Sequence, residues 1–232
     1  MTDVADVLSA LSGVRDPELD QSLVELGFVA GVDADGPEVS VRLRLPTYFC
    51  APNFAFLMVA DAYDVVSAVP AVRSVDVALE EHFAAAQINA GVAARAGFVA
   101  SFDGEAGAEL DELRRTFIAK AVLAGTDQVC RPFVASGTDP AAIARLTIGD
   151  VPRSAQLDRL LWRRAELGLP TGPDAPLLVD VATGEPIAEP AAARHLGLAR
   201  LTRTGIEANT GICRGMLRHR YSESGAGEEE QR

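Results

Sequence analysis

Lysine is all but missing from this chain: of 21 basic residues only Lys120 is a lysine, and the others are arginines. With alanine and valine abundant, that usage reads as GC-rich coding rather than as a functional signal. Cysteine is scarce as well. Cys50, Cys130 and Cys213 are odd in number and far apart, which does not make a disulfide framework and predicts a reducing cytoplasm. No CxxC or comparable group is present, so the chain does not supply the roughly four ligands of a cluster from one motif. No window reaches the roughly 18 apolar residues that span a bilayer, and MTDVADVLSA lacks the basic and apolar regions of a signal peptide. Membrane insertion and secretion are not expected. GxSxG, a glycine-rich phosphate loop with lysine, and HExxH are all missing, so no enzyme is expected.

What is present is a globular composition with an uneven charge. The 232 residues are 48% hydrophobic and 23% charged, enough to bury a core. Acidic residues outnumber basic ones 33 to 21, a net −12 that repels phosphate backbones and argues against nucleic acid as a partner. Residues 1–125 hold 19 acids against 8 bases, whereas 126–232 are nearly balanced.

Val4, Val7, Leu8 and Leu11 fall at helical spacing. Asp16-Pro17-Glu18 supplies an N-cap, a favoured first residue and a first-turn acid, predicting a second short helix that closes near Gly27. Phe28–Asp33 and the alternating Val39, Val41, Leu43, Leu45 read as a hairpin about Asp35-Gly36-Pro37. Pro52 starts a helix with Phe54, Met58, Ala62, Val65 and Val69 on one face, and 72–80 reads as a third strand. The expected fold is therefore α+β: a small three-stranded sheet with helices in the order α-β-β-α-β, plus a mainly helical C-terminal extension. The boundaries are 1–82 for the α+β domain, 83–105 for an irregular connection or short helix, 106–221 for the helical extension and 222–232 for a disordered acidic tail. Within the extension, helices are predicted over 106–124, 139–146, 155–167, 190–201 and 204–220, with a minor hairpin near 177–184.

Cys50 is the most informative residue. It sits at a strand-to-helix junction, where unsatisfied N–H groups and the helix dipole favour an anion and hence the thiolate that ligates metal. A small buried thiol is the other reading. Asp16-Pro17-Glu18, then Leu26-Gly27-Phe28-Val29, an alternating strand running into Thr47…Cys50, a helix and a Val-rich strand together resemble the iron–sulfur cluster assembly domain family. Its members include the cytosolic iron–sulfur targeting factor and bacterial maturation proteins of the SUF and phenylacetate pathways. The resemblance covers residues 4–82. It implies a non-catalytic accessory factor that loads or transfers an iron–sulfur cluster or iron, transiently held, to a client metalloprotein. A di-iron monooxygenase system is a further implication. Cys50 then stands at the family's reactive cysteine, Thr47 shapes its loop, and Asp16 and Glu18 stand at the acidic motif. A metal-free protein-binding chaperone or scaffold is the alternative.

One cysteine does not hold a cluster, so either Cys50 bridges two protomers, which predicts a homodimer, or further ligands come from this chain, a client or the assembly machinery. Cys213 and His82 are the candidate metal ligands within the chain. Ile206, Thr210, Cys213 and Leu217 share a helix face, and Gly211 and Gly215 could let that helix approach another backbone. His82 follows the third strand and could fold toward Cys50 or lie partly exposed. Cys130 reads as structural and His195 as surface. Arg194, Arg200, Arg203, Arg214, Arg218 and Arg220 make a basic stretch that either docks on the acidic half of the chain or meets an acidic client.

Overall fold

The computed structural model describes residues 2–102 and 104–222. The expected acidic tail, apart from Ser222, lies outside the described residues. The chain divides into two compact units, Met1–Asp111 with Asn209–Arg232, and Glu112–Ala208. The first unit therefore takes in the connection expected over 83–105 and the end of the last helix.

The first unit is built on helix α1 (Val4–Leu11), helix α2 (Leu23–Leu26), strands β1 (Val29–Asp35) and β2 (Glu38–Leu43), helix α3 (Pro52–Ser67) and strand β3 (Ser74–Leu79). The sheet order is β1-β2-β3. β1 and β2 pair antiparallel across Gly36-Pro37, while β3 returns parallel to β2 after α3, in register from Glu38↔Ser74 to Leu43↔Leu79. A parallel return needs a crossover helix, which α3 supplies. Val39, Val41, Leu43, Val77 and Leu79 are buried on one face of the sheet, and the helices cover them. In α3 the buried row is Ala55, Met58, Val59, Ala62 and Val66, one step round from the predicted stripe; Phe54, Val65 and Val69 are only half-buried.

One expectation in this unit is corrected. Asp16 does not open a helix reaching Gly27. Residues 17–19 form a single turn, Asp20 adopts φ 53°, and the helix begins anew at the Ser22 cap to run only from Leu23 to Leu26. Of the two readings of 83–105 the helical one is present, as helices α4 (Ala85–Ala93) and α5 (Gly97–Ser101). The Asn89 side chain holds α4 against the sheet: its Oδ1 accepts from the Leu79 N–H at 2.9 Å and its Nδ2 donates to the Leu79 carbonyl at 3.1 Å.

The remaining elements are helices α6 (Asp111–Ala135), α7 (Pro140–Ala144), α8 (Ala155–Leu167) and α9 (Ala192–Ser222). α6 starts later than the expected 106 and carries Pro132 inside its last turn. The helices expected over 190–201 and 204–220 are one, because Gly205 costs propensity without breaking the hydrogen-bond ladder as a proline would. The hairpin near 177–184 is an isolated Val179↔Pro186 bridge. The second unit's core gathers Val122, Val129, Cys130, Ile143, Leu157, Leu160, Leu177 and Leu178. Among the described residues no helix is long and apolar enough to cross a membrane.

Candidate functional site

The Leu45–Asn53 loop carries β2 into α3, with Pro52 at the first helical position and Ala51 as a cap that offers no side-chain bond. In the first turn of α3 the Phe54 N–H donates to Asn53 Oδ1 at 2.9 Å, while Ala51 offers the helix start no side-chain acceptor. Cys50 lies just before that start, half-buried and not in a disulfide. Its Sγ is 3.4 Å from Thr47 Oγ1, and that hydroxyl also accepts from the Phe49 N–H at 3.2 Å. Thr47 therefore fixes both the turn and the thiol.

His82 is buried, 5% exposed, and reaches the same loop from the end of β3. Its Nε2 lies 2.7 Å from the Cys50 carbonyl, which can only accept, so Nε2 carries the proton. Nδ1 accepts from the Ala84 N–H at 3.2 Å. Burial holds this imidazole below its ordinary pKa, in keeping with the neutral ring that these two bonds require. Both ring nitrogens of His82 are thus engaged by backbone groups, Nε2 by the Cys50 carbonyl and Nδ1 by the Ala84 N–H.

Asp16 is buried and its Oδ1 accepts from the N–H groups of Glu18 (2.9 Å) and Leu19 (2.8 Å). Burial pushes its carboxyl up from 3.8 to about 6, against the opposing pull of those two bonds. Glu18 Oε1 accepts from Asn209 Nδ2 at 3.3 Å, which brings the end of α9 to this turn. Further along, Arg214 donates to Gln21 Oε1 (2.8 Å) and the Glu25 carbonyl (3.3 Å), Leu217 packs against Gly27, and Arg220 donates to the carbonyls of Leu45 (3.0 Å) and Glu81 (2.7 Å). The Arg44 guanidinium lies over the Tyr221 ring, 4.6 Å from its centroid.

Cys213 occupies the docked face of α9, one turn from Asn209 and one from Leu217. Its thiol is pushed up to about 11, by burial first and then by the neighbouring Asp16, Cys50 and Glu18. The structure therefore brings Asp16, Glu18, Cys50 and Cys213 into one electrostatic neighbourhood across nearly 200 residues of sequence. They do not close on a single ion: among the described residues no three His, Cys, Asp or Glu side chains are grouped to hold a metal. Gly211 and Gly215 play no part in the approach, since a Cβ at either would meet nothing within 4 Å.

Cys130 is 1% exposed in the second unit's core, and burial pushes its thiol up to about 12. His195 is not plain surface: it is half-buried and its Nε2 has no hydrogen-bond partner among the described residues. The arginine stretch is largely turned onto its own chain. Besides Arg214 and Arg220, Arg203 pairs with Asp127 at 2.5 Å and with Glu207.

What the sequence did not suggest is the aromatic surround of Cys50. Tyr48, Phe49 and Phe83 stand exposed beside it, with ring centroids 5.0 Å (Tyr48–Phe49), 6.1 Å (Phe49–Phe83) and 6.3 Å (Tyr48–Phe83) apart. Tyr48 and Phe49 adjoining a candidate ligand, and Phe83 adjoining another, were the available signal.

The family model described as "Iron-sulfur cluster assembly protein" matches residues 4–78. An uncharacterized protein of Methanocaldococcus jannaschii is 35% identical over 86 residues, which are 36% of this chain and 87% of that protein. No solved structure matches.

Proposed function

Since the chain belongs, through residues 4–78, to the iron–sulfur cluster assembly protein family, we propose that it is an accessory factor that takes up iron or an iron–sulfur cluster as cargo and passes it to a client metalloprotein. Cys50 is the thiolate that contacts the cargo, and Cys213 is a companion thiol in the same unit. Thr47 and His82 hold the Cys50 loop, while Asp16 and Glu18 shape the opposite wall and add negative charge toward a cationic centre. The single observation that carries this reading is the placement of Cys50 at the start of α3 within the family-matched residues, with its Sγ 3.4 Å from Thr47 Oγ1.

Two thiols are about half of what a cluster takes, commonly four thiolates. The arrangement suits partial ligation, with the remaining positions filled by a donor, a client or a second copy of the chain. Incomplete ligation is useful to a transfer factor, because a closed ligand set has to be broken before the cargo can leave.

The test is anaerobic reconstitution of the full chain with ferrous iron and sulfide, followed by iron and sulfide analysis and visible absorbance. Wild type and Cys130→Ser should load alike, Cys50→Ser should lose bound iron, and Cys213→Ser should hold it more weakly. Equal loading of wild type and Cys50→Ser would remove Cys50 from the role. No loading of any form, with client binding preserved, would favour the metal-free scaffold.

A further inference from the structure

Exposed aromatic side chains surround the Cys50 loop: Tyr48 is 47%, Phe49 76% and Phe83 49% exposed. Their mutual contacts make them one platform rather than three isolated residues. The platform is also fixed, since the Phe83 N–H donates to the Tyr48 carbonyl at 3.1 Å and the Phe83 ring lies 4.9 Å from that of His82. At ~200 Å² per aromatic side chain it offers about 350 Å² of apolar surface, a size that marks interaction sites on soluble proteins. Phe83 continues into a groove of about 450 Å³, walled by Ala51, Pro52, Phe98, Phe102 and Leu110. The groove thus begins one residue beyond Cys50.

The charge around this surface is predominantly acidic, with Arg220, which pairs with Glu81, as a cation beside the loop. Residues 1–111 contain 18 acids and 5 bases. Glu105 lines the groove and Glu80 precedes the His82–Phe83 corner, and neither has an ion-pair partner among the described residues. A second copy of this chain would bring the same acidic rim and be repelled, so the surface fits a different, basic partner.

We propose that the Tyr48/Phe49/Phe83 platform and its groove are the docking site for a partner protein's apolar segment flanked by lysine or arginine, seated so that the residues next to that segment reach the Cys50 thiol. The inference rests on the reading of Cys50 as the cargo-contacting residue, and it adds how a client is brought to that thiol. Aromatic anchors at the centre of such a surface carry most of the affinity, with the charged rim setting the choice of partner.

The experiment is calorimetric titration of the full chain with two synthetic amphipathic helices, each with leucine and phenylalanine on one face and with either lysine or glutamate flanks. The lysine peptide should bind, the glutamate peptide should not, and Phe49→Ser should weaken binding at least tenfold. Phe49 is mostly solvent-exposed, so its removal should leave the circular dichroism melt unchanged; Tyr48→Ser is the second variant and should weaken binding in the same direction. Cys50→Ser should bind the peptide as wild type does, so that loss of iron loading in that variant speaks only to the cargo role. The docking proposal is overturned if Phe49→Ser and Tyr48→Ser bind like wild type, if both peptides bind equally, or if the platform proves to be the contact of a dimer that Phe49→Ser dissolves.

Discussion

Replacing Asp16 by asparagine should make the protein more stable at neutral pH while impairing its handling of iron. The carboxyl is buried and is displaced upward from 3.8 to about 6, chiefly by desolvation. Such a displacement corresponds to about 3 kcal/mol of cost for the ionised form in the fold. Asparagine keeps an oxygen to accept from the Glu18 and Leu19 N–H groups but carries no charge to desolvate. Asp16→Asn should therefore gain ~1–3 kcal/mol at pH 7.5, whereas Asp16→Ala, which abandons both bonds, should gain less or lose ~1 kcal/mol. The sign with pH follows from proton counting. Between about 6 and 3.8 the folded chain holds the Asp16 proton and the unfolded chain does not, so wild type gains stability as pH falls through that window. The advantage of Asp16→Asn should be full above pH 6 and shrink toward pH 4. Hydrogen exchange at the Leu19 amide reads the first unit directly, and Trp162 fluorescence, from the second unit, serves as the internal control. A Asp16→Asn protein less stable than wild type at pH 7.5, or a difference that does not narrow on acidification, would refute the argument. If the gain appears together with weaker iron loading, the buried charge is being kept for its place beside Cys213 rather than for stability.

His82 makes the opposite pH prediction: its folded pKa is lowered, so stability should fall as pH drops below the unfolded value near 6.5, and His82→Ala should flatten that slope in acid-titration melts while loosening the loop around Cys50. Alkylation by iodoacetamide at pH 8, followed by mass spectrometry, should label half-buried Cys50 first, Cys213 more slowly and buried Cys130 only after unfolding; prompt labelling of Cys130 would contradict its place in the core. Arg220→Met removes donors to the Leu45 and Glu81 carbonyls and should cost ~1–3 kcal/mol, seen as faster exchange across 213–222. Gly91→Ala would set a Cβ 2.6 Å from the Ser101 Cβ, which no rotamer relieves, and should destabilise the α4–α5 pair by ~1–3 kcal/mol in thermal melts.

Local chemistry made some elements legible and left others hidden. α8 matched the sequence reading of 155–167 because both ends are signalled: Ser154 caps Leu157 and Gly168 closes the helix at φ 71°. Asp16 was legible as a cap but not as the cap of a turn that stops, since Asp20 turns left-handed without any glycine to announce it. α4 was legible only as one of two readings because its anchor is Asn89 on Leu79, a tertiary pairing with no periodic trace. The same limit governs the site. The stripe 206, 210, 213, 217 is legible from spacing, but the surface it meets is not, so in the sequence the arginines speak through charge alone. The structure gives them another use: Arg214 and Arg220 spend donors on the carbonyls of Glu25, Leu45 and Glu81, groups that contribute nothing to net charge. A guanidinium is suited to this because its five donors can satisfy several loop carbonyls at once. Those arginines clamp the end of α9 onto the loops that carry Asp16, Cys50 and His82, which is how a residue more than 160 positions away comes to share the environment of Cys50.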